Sequence, residues 1–478
     1  MGTRATVRLL KGQGPIPAGS YDLGSVGYEE HEFLIDGVAQ SYRLVGERGE
    51  DGRWTLEGDA QAPYVSRLIV RAPIDPERFS GTAIVEWNNV SGGVDAGPDW
   101  MFFHRYLIAH GHAWVGVTAQ KAGIDGGGLV EGLHLKLLAP ERYGALSHPG
   151  DRWSYDIFSQ AGDLVRSPDA DSPLGGLVPV RVIGVGESQS AAFLVTYING
   201  VDAHANVFDG FLVHGRPGFG AGLDGAFRAA RPGDRVDVSE VTQSLRGRDR
   251  IRDDARVPVM VLQSETDVVL LGGGEPAQPD GDRVRLWEVA GAAHAETYLL
   301  VAANEDDGRL PPERLAALLR PTDELIMGKT DSPINAGPQQ HYIGQAALDH
   351  LIRWAGGGAP PPAAPRLALN DDREGFAVDG HGNARGGVRS PWVDVPTARL
   401  SGLGQGGAAF AFLFGRTDPF DPPTLAACYP GGRGEYLVRF ASSLDQTIAA
   451  GFILPDDRDE ILAVAGASSA IPANTGPP

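Results

Sequence analysis

Cysteine is almost absent from this chain, since Cys428 is the single cysteine among 478 residues. One cysteine cannot form an intramolecular disulfide, and it cannot build a cysteine-based zinc site. Long apolar runs are also missing, because no stretch approaches the roughly 20 apolar residues that span a bilayer as a helix. These absences exclude a disulfide-stabilised scaffold and argue against a membrane-embedded protein.

Positive charge is scarce relative to negative charge. The chain has 41 lysines and arginines against 61 aspartates and glutamates, a formal net charge of −20, and no basic run stands out. Such a surface repels the phosphates of nucleic acids and anionic lipid headgroups. We therefore expect neither nucleic acid nor a membrane as a partner, and nothing in the sequence specifies an oligomeric state.

The N-terminus lacks the apolar core of a secretory signal. Lys11 follows directly after Leu9 and Leu10 in "MGTRATVRLLKGQGPIP", and a signal peptide needs a longer apolar segment. As written, the sequence predicts a cytoplasmic protein. If a leader had been removed, the prediction would change to a secreted or periplasmic one.

What the chain does have is a regular alternation of apolar runs and helical patterns. The strand-like runs cover 66–73, 82–87, 113–120, 180–185, 207–215, 257–263 and 283–291, and the helical patterns include 99–111, 153–167 and 341–358. This alternation predicts an α/β fold with a mostly parallel central sheet and helices on both faces. Residues 31–45 predict a hairpin added at one edge of that sheet.

A proline-rich segment, "GGGAPPPAAP" at 356–365, is the clearest linker, because prolines stiffen such a connection. It predicts three parts. Residues 1–355 form the core with the N-terminal hairpin and a lid at about 214–256, and 366–478 form a C-terminal extension that packs on the core as a cap.

The stretch "VRVIGVGESQSAAFLVTYING" from Val180 to Gly200 places Ser188 between a β-branched run and a helical pattern. Gly186 stands two residues before Ser188, as in the G-x-S-x-G nucleophile elbow, in which a tight strand-to-helix turn exposes the serine Oγ. Ser190 replaces the second glycine, where the helix requires a small side chain. Ser188 is therefore the candidate nucleophile.

Two later loops supply the partners that a serine nucleophile needs, a base and a carboxylate that orients it. "VPVMVLQSETDVV" is a buried strand followed by Glu265 and Asp267, and "RLWEVAGAAHAE" is a strand followed by His294. The order Ser, acid, His is that of the α/β-hydrolases. We assign His294 as the base and Asp267 as the acid, with Glu265 as the alternative acid.

An oxyanion hole requires two N–H donors. The first is assigned to Gln189, the residue after the nucleophile. The second is assigned to Asn89 in the glycine-containing loop "EWNNVSGGVDAGPDW", with Asn88 as the alternative. Asn88, Trp100 and His214 are further candidates for the substrate pocket, and no metal site and no cofactor is expected.

With these residues assigned, the sequence resembles a bacterial family of serine hydrolases described as "alpha/beta hydrolase domain" proteins. The stretches that carry the resemblance include "VEWNNVSGG", "GHAWVGVTAQKAGIDG", "ERYGALSHPGDRWSYDIFSQA", "GESQSAAFLVTYING" and "HYIGQAALDHLIRW", and "GNARGGVRSPWVDVP" extends it beyond the linker. The resemblance implies an esterase-like α/β-hydrolase fold with a G-E-S-Q-S nucleophile motif, Ser188 as nucleophile and His294 as base.

The function predicted from these residues is hydrolysis of a carboxylic ester in a small-molecule substrate through an acyl-enzyme intermediate. Two alternatives stay open at this point. One is an acyltransferase, or a lactone or amide hydrolase, with the same triad; the other is a hydrolase-fold binding protein that has lost its chemistry.

Overall fold

A computed structural model of the chain describes residues 5–16, 18–127, 133–169, 172–227, 238–326, 328–407, 410–468 and 471. Within these residues no helix is long and apolar enough to cross a membrane. Part of the predicted lid, residues 228–237, lies outside the described residues.

The strands follow one another along the chain as β1 (Thr6–Leu10), β2 (Tyr28–Val45), β3 (Thr55–Pro73), β4 (Thr82–Trp87), β5 (Ala113–Val117), β6 (Arg181–Glu187), β7 (Gly210–His214), β8 (Val259–Ser264), β9 (Val284–Val289), β10 (Glu324–Leu325), β11 (Gly328–Lys329), β12 (Ala398–Ser401) and β13 (Arg416–Pro419).

The α-helices are α1 (Pro98–Ala109), α2 (Lys121–Asp125), α3 (Leu135–Leu138), α4 (Pro140–Tyr143), α5 (Ser154–Arg166), α6 (Gln189–Thr196), α7 (Asp202–Ala205), α8 (Val238–Leu245), α9 (Glu265–Val269), α10 (Pro312–Leu318), α11 (Gln339–Ala355), α12 (Pro391–Asp394), α13 (Pro422–Cys428), α14 (Gly432–Ala449) and α15 (Arg458–Ala467). The helices predicted at 99–111, 153–167 and 341–358 correspond to α1, α5 and α11.

The chain divides into two compact units. Unit 1 comprises Met1–Val261, Leu271–Arg285 and Leu351–Pro360, and unit 2 comprises Leu262–Leu270, Leu286–His350 and Pro361–Pro478. The three-part division at the linker 356–365 stays a prediction.

Among the described residues, the central sheet has nine strands in the order β1-β2-β3-β5-β4-β6-β7-β8-β9. Strand β4 pairs in parallel with β5 and β6, and β6 pairs in parallel with β7. Every residue of β4 and β5 is buried, as expected for strands covered on both faces. The predicted α/β fold with a mostly parallel sheet is confirmed.

The N-terminal edge of the sheet is a long antiparallel ribbon. Strand β2 pairs with nearly the whole length of β3, with one irregularity between Gln40 and Tyr42. The predicted N-terminal hairpin is present, but its predicted bounds, 31–45, were wrong, because this segment is one arm and β3 is the other. Asp36-Gly37 is a typical turn pair, but a Cβ at Gly37 would lie 2.8 Å from the Gln160 side chain. Close packing therefore explains this glycine.

Aromatic packing anchors the segments that lead into the site in unit 1. Trp87 is the last residue of β4, and its ring packs against Tyr155 and Phe158 of α5 and against Phe193 of α6, with ring centroids 5.0–5.7 Å apart. Because Trp87 directly precedes the loop that contains Asn88, this cluster holds that loop close to the start of α6.

The core of unit 2 combines residues from distant parts of the sequence. Val269 of α9 and Ala290 after β9 pack in one apolar cluster with Val393 of α12 and Leu400 of β12. The C-terminal part of the chain therefore belongs to the core on which α9 and the end of β9 rest.

Candidate active site

Ser188 occupies the turn between β6 and α6 with φ 61° and ψ −118°. A non-glycine residue in such a region costs on the order of 1–3 kcal/mol, and such strain concentrates at functional sites. Gly186 permits the turn, since a Cβ there would lie 2.9 Å from a Leu194 methyl carbon. The backbone therefore adopts the sharp strand-to-helix turn that the motif predicts.

Hydrogen bonds fasten this turn on two sides. The Ser188 N–H donates to the His214 carbonyl at the end of β7, over 2.9 Å. The Ser190 Oγ donates to the Asn88 carbonyl over 3.2 Å, and Ser190 is fully buried. A serine at this position thus adds a bond to the loop after β4 that glycine could not make.

The loop after β4 lies against both neighbours of Ser188. Asn89 Nδ2 donates to the Glu187 carbonyl over 3.0 Å and to Glu187 Oε2 over 3.2 Å. Ser91 Oγ donates to Gln189 Oε1 over 3.3 Å. The structure therefore brings the predicted oxyanion residues Asn89 and Gln189 to the nucleophile turn.

The backbone N–H groups of Gln189, Asn89 and Asn88 differ in whether they already donate a hydrogen bond. Gln189 is the first residue of α6, and an N–H in the first turn of a helix has no intrahelical acceptor. By contrast, the Asn89 N–H donates to the Ala96 carbonyl over 2.7 Å, and the Asn88 N–H donates to the Val117 carbonyl over 3.1 Å. An oxyanion role for Asn89 or Asn88 would require a shared donor.

The three residues predicted for the substrate pocket are buried in unit 1. Asn88, Trp100 and His214 are each 1 % exposed. Asn88 Nδ2 donates to Asp95 over 3.0 Å, and Trp100 Nε1 donates to the Ala18 carbonyl over 3.1 Å. Their place in a substrate pocket stays a prediction.

Sequence reasoning missed a group of buried acids close to the turn. Glu86 accepts hydrogen bonds from the Asp99 and Trp100 N–H groups, over 2.9 and 3.0 Å, and from Trp114 Nε1 over 2.8 Å. Burial raises the pKa of both Glu86 and Asp99, and nearby negative charge raises both pKa values further. Asp99 follows a proline in the first turn of α1, where an acid is an ordinary helix-start residue, so no local signal distinguishes it.

The predicted acid and base meet in unit 2. His294 Nδ1 lies 2.6 Å from Asp267 Oδ1, and the two residues are 4 % and 0 % exposed. This short contact orients the imidazole and assigns Nδ1 to the carboxylate. The preferred acid, Asp267, is therefore the residue that contacts the predicted base.

Asp267 is held by a capping box at the start of α9. Its Oδ2 accepts the Ser264 N–H over 2.6 Å, and the Ser264 side chain accepts the Asp267 N–H over 3.3 Å. Because β8 ends at Ser264 and α9 begins at the next residue, this reciprocal cap sets the position of the carboxylate relative to the strand end.

Glu265, the alternative acid, has different partners. Its Oε1 accepts the Gly291 N–H over 2.6 Å, and its Oε2 accepts the Gly402 N–H over 2.9 Å. Burial raises the pKa of Glu265 to about 7, although these hydrogen bonds oppose the shift. Glu265 thus joins the turn after β9 to the C-terminal part of unit 2.

The backbone around His294 is held by further bonds within unit 2. Thr266 Oγ1 accepts the His294 N–H over 3.2 Å and donates to the Gly402 carbonyl over 2.7 Å. Gln340 Nε2 donates to the His294 carbonyl over 3.3 Å. Through Thr266, the position of the base therefore depends on Gly402, which lies far along the chain from His294. No local sequence signal predicts this dependence.

A cavity of about 530 Å³ lies elsewhere in unit 2. Helices α10 and α15 line it together with Trp392 and Tyr436, whereas Asp267 and His294 are not among its lining residues. Among the described residues, no group of three histidine, cysteine, aspartate or glutamate side chains could hold a metal ion.

The turn at Ser188 and the sheet order define an α/β-hydrolase, and comparison with known families agrees. The model of the "Alpha/beta hydrolase domain" family matches residues 4–463, and the chain belongs to this family. No curated protein matches the sequence.

The solved structures to which the chain is similar include esterases. A glucuronoyl esterase from Solibacter usitatus is 10 % identical, with 60 % of this chain and 80 % of that chain covered and a TM-score of 0.29. An esterase from Pyrococcus furiosus is 12 % identical, with coverages of 57 % and 88 % and a TM-score of 0.29.

Proposed function

We propose that the protein is a serine hydrolase that cleaves a carboxylic ester with Ser188, His294 and Asp267. The contact of 2.6 Å between His294 Nδ1 and Asp267 Oδ1 carries this proposal, because a buried carboxylate on one ring nitrogen leaves Nε2 to exchange protons with a nucleophile. All three residues follow strands of one sheet, β6, β8 and β9, in the chain order of this fold.

In the first half of the reaction Ser188 Oγ attacks the ester carbonyl carbon while His294 Nε2 accepts the serine proton. Asp267 stabilises the imidazolium that forms. The negative charge on the carbonyl oxygen is stabilised by the Gln189 N–H at the start of α6, where the helix dipole adds to the effect. Asn89 supplies the second donor by sharing its N–H between Ala96 and the substrate oxygen.

When the tetrahedral intermediate collapses, His294 protonates the leaving alcohol and Ser188 carries the acyl group. A water molecule then gives its proton to His294 and attacks the acyl carbon. His294 returns this proton to Ser188 Oγ as the carbon–Oγ bond breaks, which releases the acid and restores both residues. The chain's own residues perform each of these steps, with no metal or organic cofactor in the scheme.

Covalent labelling tests the proposal. Intact-mass spectrometry after fluorophosphonate treatment should show one adduct on the wild type and none on Ser188→Ala, with matching loss of p-nitrophenyl acetate and butyrate turnover. Ser159→Ala is the matched control, because it also removes a buried serine hydroxyl. That hydroxyl hydrogen-bonds the Tyr155 carbonyl on α5 and the Tyr197 hydroxyl just after α6. An unlabelled wild type without turnover, or labelling that persists in Ser188→Ala, would overturn it.

A further inference from the structure

A buried acid and histidine lie beside the nucleophile turn and have no part in the proposed reaction. His214 Nδ1 lies 2.8 Å from Asp99 Oδ1, and both residues are 1 % exposed. The His214 carbonyl accepts the Ser188 N–H over 2.9 Å. His214 therefore contacts Asp99 with its side chain and holds the Ser188 backbone with its carbonyl.

The ring of His214 has little freedom to turn. It meets the Phe102 ring edge to face with centroids 5.0 Å apart, and it stacks on the Phe103 ring with centroids 5.6 Å apart. Asp99, Phe102 and Phe103 all belong to α1. The imidazole thus fastens the end of β7 to the first turns of α1.

Other charged groups surround the pair on the neighbouring strands. Glu187 of β6 is opposite His214 in the parallel register, and Glu86 of β4 accepts the Asp99 N–H. Burial, and then the negative charge of Glu187, raise the pKa of Asp99.

Stability alone does not account for the pair. Asp99 Oδ2 is buried, and it has no hydrogen-bond partner among the described residues. A buried ionisable pair with an unsatisfied oxygen is often replaced by apolar residues without loss of stability, or with a gain. Departures of this kind from the packing rules are concentrated at functional sites.

We propose that Asp99 and His214 are positioning residues, which hold the Ser188 backbone through the His214 carbonyl so that Ser188 Oγ is presented in one place for attack. This inference rests on the proposed function. Neither side chain takes a proton from the substrate or from Ser188 in this role. Their contribution is to the rate of acylation, and substrate affinity should change little.

The test replaces the pair by apolar residues, in the double variant Asp99→Leu/His214→Phe. We expect its urea-unfolding midpoint to equal or exceed that of the wild type, because the buried charges are gone. Fluorophosphonate labelling should slow by about 10- to 100-fold, since small misplacements of reacting groups cost this much. The pre-steady-state acylation rate with p-nitrophenyl acetate should fall in proportion, with the substrate dissociation constant nearly unchanged.

Two further variants keep the test decisive if the double variant does not fold. His214→Asn retains an amide donor near the position of Nδ1 and should recover part of the labelling rate relative to His214→Phe. His112→Phe is the control. This buried histidine directly precedes β5 and contacts Ser80 Oγ over 2.6 Å, at the end of the strands opposite to Ser188. It should lower stability without slowing labelling.

Hydrogen exchange of the Ser188 amide separates the two proposals. If the wild type is not labelled, the proposed function fails, and faster exchange at Ser188 in His214→Phe would still support positioning. If exchange and labelling in the folded apolar double variant equal those of the wild type, the positioning role is wrong. Equal labelling by His214→Phe and His214→Asn would also contradict it.

Discussion

His294 and Asp267 form a buried imidazole–carboxylate pair with 2.6 Å between Nδ1 and Oδ1, and the Asp267 carboxylate also caps the start of α9. One oxygen of Asp267 therefore faces the ring while the other is tied to the backbone at the end of β8. An acid held in this way cannot rotate away from the imidazole without losing its cap.

Removing the base should abolish turnover. We expect His294→Ala to lower kcat for p-nitrophenyl acetate by at least about a thousandfold, because triad members act as a unit and each loss is of this order or larger. Steady-state kinetics beside Gln345→Ala, a change at another buried polar residue of unit 2, would measure it. Retention of a tenth or more of the wild-type rate would mean that another group is the base.

The two candidate acids should respond differently to removal of their charge. Asp267→Asn should lower kcat by roughly 10³- to 10⁴-fold, since an amide no longer stabilises the imidazolium or the correct tautomer. Glu265→Gln should cost far less, because Glu265 binds Gly291 and Gly402. Parallel kinetics on the two isosteric variants provide the comparison, and the opposite ranking would reassign the acid.

Glu265 should make stability depend on pH. Burial raises its pKa from the ordinary value of 4.5 to about 7 in the folded protein, so the folded state binds the proton more tightly than the unfolded chain does. The stabilisation that this proton provides is fully present below about pH 4.5 and is lost as pH rises through about 7.

Urea-unfolding midpoints of the wild type and Glu265→Gln across pH 5 to 8 test this effect. The wild type should lose stability over this range relative to the variant, whose amide does not titrate. Glu296→Gln controls for other buried acids, because burial raises the pKa of Glu296 to about 8. Its unfolding midpoint should therefore differ from that of the wild type in its pH dependence up to about pH 8. A constant difference between wild type and Glu265→Gln would contradict the assignment.

Asn335 should be important for stability although no step of the reaction uses it. It is fully buried, and its Nδ2 donates to the Gly291 carbonyl over 2.8 Å and to the Ser401 carbonyl over 3.1 Å. Asn335→Ala removes the donor to the Ser401 carbonyl and the acceptor of the Gly337 N–H, whereas Gln339 Nε2 still donates to the Gly291 carbonyl over 2.6 Å. Each buried polar group left unsatisfied costs about 1–3 kcal/mol. Asn370→Ala, at a half-buried site, is the control. Thermal and urea unfolding should show a large loss of stability for Asn335→Ala and only a small one for Asn370→Ala.

The sequence by itself determined the α/β class, the turn at Ser188 and the order in which serine, acid and histidine follow the strands. These features depend on local chemistry. A β-branched run favours a strand, Gly186 and a small residue at Ser190 permit a sharp turn, and an acid directly after a buried strand lies at the strand end.

The choice between Glu265 and Asp267 required the tertiary structure. Residues two positions apart on a helix point in very different directions, since each residue advances by about 100°. Within α9 one carboxylate therefore faces His294, while the other faces Gly291 and Gly402. Both side chains follow the same strand, so the sequence could not rank them by position.

Contacts between distant segments were also decided only by folding. Asp99 and His214 are separated by 115 residues, and each has an ordinary local explanation, as a helix-start acid and as the last residue of a strand. Their pairing exists because the packing of α1 on the sheet brings the helix start to the end of β7. Local patterns fix which elements form, whereas the burial of apolar faces decides which side chains meet.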